Sequence, residues 1–117
     1  MKIAIKTKDI KLTPDLKELI EKKIGTLEKY SGILKKKDYF DDFLEKGKER
    51  VIAEVEIGKE TRGAKTGAFF RAECQIGLPQ KTLRAEAVSE DLEQAINEIR
   101  DELKIQIKKH KEKRVNE

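Results

Sequence analysis

Six cations crowd the end of the sequence: Lys104, Lys108, Lys109, Lys111, Lys113 and Arg114, with His110 among them and Glu112 the one interrupting acid. A solvated charge run is the ordinary explanation of such a stretch. A helix dipole, however, needs one or two cations in its last turn. Six suggest a polyanion partner. The residue types that carry catalysis are poorly placed by comparison. His110 sits in the basic run without a partner carboxylate pattern. Asp41 and Asp42 are adjacent and diverge from each other on a helix. Cys74 is the single cysteine, which excludes an intramolecular disulfide, and its strand-like surroundings make it a small core residue. No metal-ligand spacing occurs. The glycine-bearing segment 58–67, GKETRGAKTG, lacks the spacing and the terminal Lys-Ser/Thr of a phosphate loop, and no helix follows it. The expectation is a binding protein without catalytic residues, metal or cofactor.

The elements that must position those cations begin with a strand over Thr82–Ala87, where Leu83, Ala85 and Ala87 alternate with Thr82, Arg84 and Glu86. Ser89 reads as the N-cap of the helix that follows. Glu90, Asp91 and Glu93 come next, at the positive end of the helix dipole. Leu92, Ala95, Ile96, Ile99, Leu103 and Ile107 recur at three- and four-residue steps as one apolar face. The basic run outlasts that face.

Upstream, Ile3 and Ile5 mark a short first strand. Thr13-Pro14-Asp15 opens a helix with an N-cap, a proline at the first position and an acid next. Its stripe is Leu16, Leu19, Ile20, Ile24, Leu27 and Tyr30, and Ser31-Gly32 ends it. Gly25 lies inside it, where glycine costs about 1 kcal/mol against alanine; a close approach of another element would justify it. In 33–50, Lys35–Lys37 form a charge run, and Asp38 opens a short helix with Tyr39, Phe40, Phe43 and Leu44 on one side. That segment is an insertion before the second strand, read as a flap over the core edge or as a partner-binding protrusion. Val51–Ile57 alternates as the second strand and Ala68–Leu78 as the third, with Phe70, Ala72, Cys74, Ile76 and Leu78 on one face. Leu78-Pro79-Gln80 turns into the fourth.

The predicted order is therefore β-α-β-β-β-α, an α+β fold: a four-stranded mixed sheet with both helices on one face. The last three strands form an antiparallel meander. A right-handed crossover through the first helix makes the first two strands parallel. Small inward residues, Ala53, Ala72, Ala85 and Ala87, let the helices sit close.

At 117 residues the chain suits one domain, 1–117, with 112–117 read as a flexible tail. Charged residues make up 43% and hydrophobic residues 37%. The core is lean, but the periodic segments are too regular for disorder. A net charge of +4 is small, so a nucleic-acid binder of this composition must segregate its acids from its bases. No apolar run approaches a membrane span, and the start of the chain is too short for a signal h-region. A soluble, cytoplasmic protein is expected.

The order of elements, Leu27-Glu28-Lys29-Tyr30 closing the first helix, Ser89-Glu90-Asp91-Leu92 opening the second, and Gln106 followed by Lys109-His110-Lys111 and Lys113 resemble the ribosome hibernation factors. That family comprises hibernation promoting factor and ribosome-associated inhibitor A, also labelled sigma modulation or ribosomal subunit interface proteins. The resemblance spans residue 1 to about Arg114. It implies two roughly parallel helices side by side, binding to the small ribosomal subunit and its rRNA near the decoding centre, and a block of mRNA and tRNA in resting cells. Carried over by position, the rRNA-binding residues are Lys22, Lys23 and Lys29 on the first helix and Lys109, Lys111 and Lys113 on the second. Helical spacing adds Lys104 and Lys108.

Three departures accompany the resemblance. Ile105 precedes Gln106 where relatives carry Arg. The 33–50 link is longer than usual. The sequence stops soon after the second helix, so the dimerisation domain of the long form is not expected, nor direct ribosome pairing through it. The expected protein is a monomer off the ribosome, with no membrane or small-molecule partner. Two alternatives stand beside this reading: a general double-stranded RNA-binding domain, and a protein-interaction regulator that uses Tyr39–Leu44 without RNA.

Overall fold

The computed structural model describes residues 2–28, 51–60, 69–78 and 81–115, the side chains of 60 and 111–115 excepted. Strand β1 spans Lys2–Lys8, helix α1 Pro14–Gly25, β2 Ile52–Glu60, β3 Phe69–Gly77, β4 Thr82–Ser89 and helix α2 Leu92–Val115. The sheet order is β1-β2-β3-β4. β1 pairs with β2 in parallel, Ile5 opposite Val55. The other two pairings are antiparallel, with Val55 opposite Cys74 and Cys74 opposite Ala85. This is the predicted α+β topology. The second strand runs three residues beyond its expected end, because Gly58 still pairs with Lys8 and Glu60 with Phe69.

Alternation decides the two faces of the sheet. Ala53, Val55, Ile57, Ala72, Cys74, Ile76, Leu83 and Ala85 are buried, and they share one core with Ile20, Ile24 and Leu27 and with Ala95, Ile96, Ile99, Leu103 and Ile107. Both helices therefore cover the same face. Phe70, expected in that core, is only half-buried. The opposite face carries charge. Arg71 bonds Glu86 and lies 3.6 Å from Glu73, while Arg84 bonds Glu73. Glu54 and Glu56 are exposed beside them.

α1 starts as its sequence dictates. The Thr13 hydroxyl accepts from the Leu16 N–H at 3.2 Å, with Pro14 in the first helical position. It ends earlier than the apolar stripe suggests. The Thr26 hydroxyl donates to the Lys23 carbonyl at 2.7 Å, and the Leu27 N–H reaches only three residues back, to Ile24. That tightened turn closes α1 at Gly25, and Leu27 is buried from beyond it. No described atom lies within 4 Å of a side chain added at Gly25, so the close approach expected there is absent among the described residues. Gly58 is the glycine that needs its size: a Cβ there would stand 3.2 Å from the Lys8 carbonyl oxygen.

α2 also starts differently from its expected cap. Ser89 is the last residue of β4, and its hydroxyl accepts from the Asp91 N–H at 3.1 Å. Asp91 is the N-cap: its carboxylate accepts from the Glu93 N–H at 3.0 Å, and its carbonyl accepts the first helical bond, from the Ala95 N–H. Two residues of the expected first turn are thus a linker, because Ser89 is still held in the ladder opposite Phe70. At the other end α2 continues to Val115, so most of the expected 112–117 tail is helical. The 33–50 insertion, its Tyr39–Leu44 cluster, and most of the 58–67 loop lie outside the described residues.

Candidate nucleic-acid interface

Chain direction places the two helices. α1 joins two parallel strands, so it must run back against them. β4 runs the same way as β1 and β2 after two antiparallel steps, and α2 runs back against β4, with Leu92 following Ser89 and Gln106 beside Arg84. α1 and α2 therefore run in the same direction on one face of the sheet.

Charge is divided along α2. Residues 92–103 hold Glu93, Glu98, Asp101 and Glu102 against Arg100 alone. Residues 104–115 hold Lys104, Lys108, Lys109, Lys111, Lys113 and Arg114 against Glu112 alone. Lys108 and Lys109 are exposed, and Lys104 is half-buried. Lys111 and Lys113 occupy helical positions, with side chains outside the described set. The apolar stripe continues past Ile107 into His110, which is 9% exposed. His110 thus faces the core from within the basic run. Its i, i+3, i+7 spacing from Leu103 and Ile107 was the available signal, masked by the flanking lysines. Ile105 stands out on this half of the helix, 48% exposed.

The α1 cations lie elsewhere. Lys22 is exposed, while Lys23 is half-buried with its ammonium 3.8 Å from the Glu93 carboxylate. At about 1.5 Å per helical residue, Lys109 lies about 24 Å further along α2 than Glu93. The structure thus brings Lys104, Lys108 and Lys109 together on α2 and sets Lys23 beside the acidic first turn. Lys29 lies outside the described residues.

Gln106 is a residue whose role the sequence did not disclose. Its amide nitrogen donates to the Arg84 carbonyl at 2.8 Å and to the Glu102 carboxylate at 3.0 Å, and its amide oxygen accepts from the Arg84 N–H at 3.2 Å. β4 is an edge strand, so the side chain of a helix residue completes the ladder where no strand pairs. Candidate chemistry of other kinds is thin. Among the described residues no group of three or more His, Cys, Asp or Glu could hold a metal ion. Burial, helped by the carboxylates of Glu54 and Glu73, pushes the Cys74 thiol up to about 12, which leaves it a neutral core group at neutral pH. No described helix is long and apolar enough to cross a membrane.

A small α+β domain that presents one cationic helix end is the class that fold and surface define. Residues 3–115 match the family described as Sigma 54 modulation protein / S30EA ribosomal protein, and the chain belongs to that family. It is 32% identical over 113 residues to the ribosome hibernation promotion factor of Bacillus subtilis (strain 168). That alignment covers 97% of this chain and 50% of the relative, so the chain spans about half the length of that protein. The fold is similar to the N-terminal domain of Thermus thermophilus Protein Y, with a TM-score of 0.69 and 24% identity over 94% of this chain and 99% of that one. It is similar also to a ribosomal subunit interface protein from Coxiella burnetii, at 0.61 and 20%, over 95% and 98% of the two chains.

Proposed function

We propose that this protein is a cytoplasmic ribosome hibernation factor of resting or stressed cells. It binds the small ribosomal subunit near the decoding centre through basic residues of its helices and keeps mRNA and tRNA out. The observation that carries this reading is the charge division of α2, six cations on one acid after residue 103, in a chain whose family and relative are ribosomal by name. A rigid row of lysines neutralises phosphates and releases their counterions without reading base edges. The described aromatics, Phe69 and Phe70, are half-buried strand residues, so the described surface offers no platform for stacking single-stranded bases. The protein acts by occupancy as a monomer and carries out no catalytic step. Of the α1 cations, Lys22 is exposed and fits this role better than Lys23, which is engaged by Glu93.

Sedimentation with ribosomes tests the proposal. The protein should travel with vacant small subunits and be displaced when mRNA and tRNA are bound. Equal binding to free duplex RNA, unaffected by tRNA, would give the general double-stranded RNA reading instead. Binding to ribosomes that ignores salt would point to protein contacts.

A further inference from the structure

Gln106 ties the basic half of α2 to the edge strand β4. β4 extends two residues beyond Arg84, to Thr82, about 7 Å, while α2 continues nine residues past Gln106 to Val115, about 13 Å. Beyond Gln106 the described buried side chains of the helix are Ile107 and His110. Close packing of the buried stripe holds the helix against the sheet, and hydrogen bonds add a directional restraint, because their strength depends on angle. The amide of Gln106 makes two bonds with the backbone of Arg84 and one with Glu102, at 2.8, 3.2 and 3.0 Å. Both of its amide hydrogens and one acceptor direction of its oxygen are engaged. Arg84 is held from its other end as well: its guanidinium bonds Glu73 on the open face of the sheet.

We infer that Gln106 is a positioning residue for the ribosome-binding surface: by completing the ladder of β4 at Arg84 it sets the rotation and axial register of α2, and with them the direction in which Lys104, Lys108 and Lys109 point. This rests on the ribosome-binding reading above. Gln106 itself need not touch RNA. A side chain that only stabilised the fold would leave the binding of folded molecules unchanged. A positioning side chain alters how many phosphates the lysines reach at once.

The test compares Gln106→Met, which keeps length and removes the amide, with Gln106→Asn, which keeps the amide and is one methylene too short. Both leave the charge unchanged, and Gln106→Asn keeps a soluble polar group should the Met variant fold poorly. Amide exchange at Arg84 reports the clamp directly. Affinity for vacant small subunits is measured across a salt series, with a Lys108→Ala/Lys109→Ala variant alongside. Faster Arg84 exchange, affinity down by about tenfold and a salt slope smaller by about one phosphate contact in both Gln106 variants are expected. If Arg84 exchange accelerates while affinity and slope stay as in the parent, and the lysine variant still weakens, the positioning role is overturned and the binding surface stands. If neither the Gln106 nor the lysine variants change binding, the ribosome-binding reading of α2 fails, and the positioning role with it.

Discussion

The ammonium of Lys23 lies 3.8 Å from the carboxylate of Glu93, which fixes the end of α1 beside the first turn of α2. Lys23 is thereby set about 24 Å along α2 from Lys109. Lys23 compensates the acidic half of α2, whose own cations gather in its later half. This is how a chain of net charge +4 offers a concentrated basic end.

Charge substitutions should therefore be unequal. Lys109→Ala should weaken binding to small subunits and lower the salt slope by about 1, as for a phosphate contact. Lys23→Ala should leave the slope unchanged and cost at most about 1 kcal/mol of stability, the range of a partly exposed ion pair. Reversal of Glu54 and Glu56, on the far sheet face, should leave inhibition of an in vitro translation reaction intact. Equal loss of inhibition from all three would remove the assignment to α2.

The capping of α2 gives a second expectation. Asp91→Ala removes the acceptor of the Glu93 N–H and should cost about 1 kcal/mol in urea denaturation. Ser89→Ala removes a bond in the linker, to the Asp91 N–H, and should cost less. The reverse order would make Ser89 the functional cap.

That capping shift shows what the sequence could and could not disclose. Element order, sheet pairing and the shared helix face follow from period-two and period-3.6 patterns, and Ile96, Val55 and Cys74 meet in the core as those patterns require. Ser89 and Asp91 are both good caps two residues apart; only the pairing of Ser89 with Phe70 decides between them. His110 was hidden by its lysine neighbours although its spacing is that of the apolar stripe. Gln106 and Arg84 are 22 residues apart, and no local pattern signals a side chain that bonds a strand edge. The relation of Lys23 to Glu93 is likewise tertiary. Composition gave the cations, and helix offset decided which of them stand together.

Gly25→Ala should stabilise the protein. The position is helical and no described atom lies within 4 Å of an added Cβ, so the substitution gains helix propensity and reduces unfolded-state entropy. A gain of about 0.5–1 kcal/mol is expected from the shift in denaturation midpoint. A loss would mean that a group outside the described residues packs against this glycine.

Cys74 predicts how stability responds to alkali. Its thiol is fully buried, and desolvation, with the Glu54 and Glu73 carboxylates adding to it, raises its pKa to about 12. In the unfolded chain the thiol ionises near its ordinary value of about 8.5. The folded protein thus keeps a proton that the unfolded chain releases. The contribution is fully present below about pH 8.5 and is lost as pH rises towards about 12, with a slope approaching 1.4 kcal/mol per pH unit. Urea denaturation of the parent and of Cys74→Ala at pH 7, 9 and 10 isolates this contribution, because the lysines and tyrosines titrate in both proteins. The alanine variant should be less stable at pH 7, by the cost of the lost sulfur packing, and the gap should narrow as pH rises. A gap that stays constant between pH 7 and 10 would mean that the thiolate is accommodated in the core, and that desolvation of Cys74 is not what resists its ionisation.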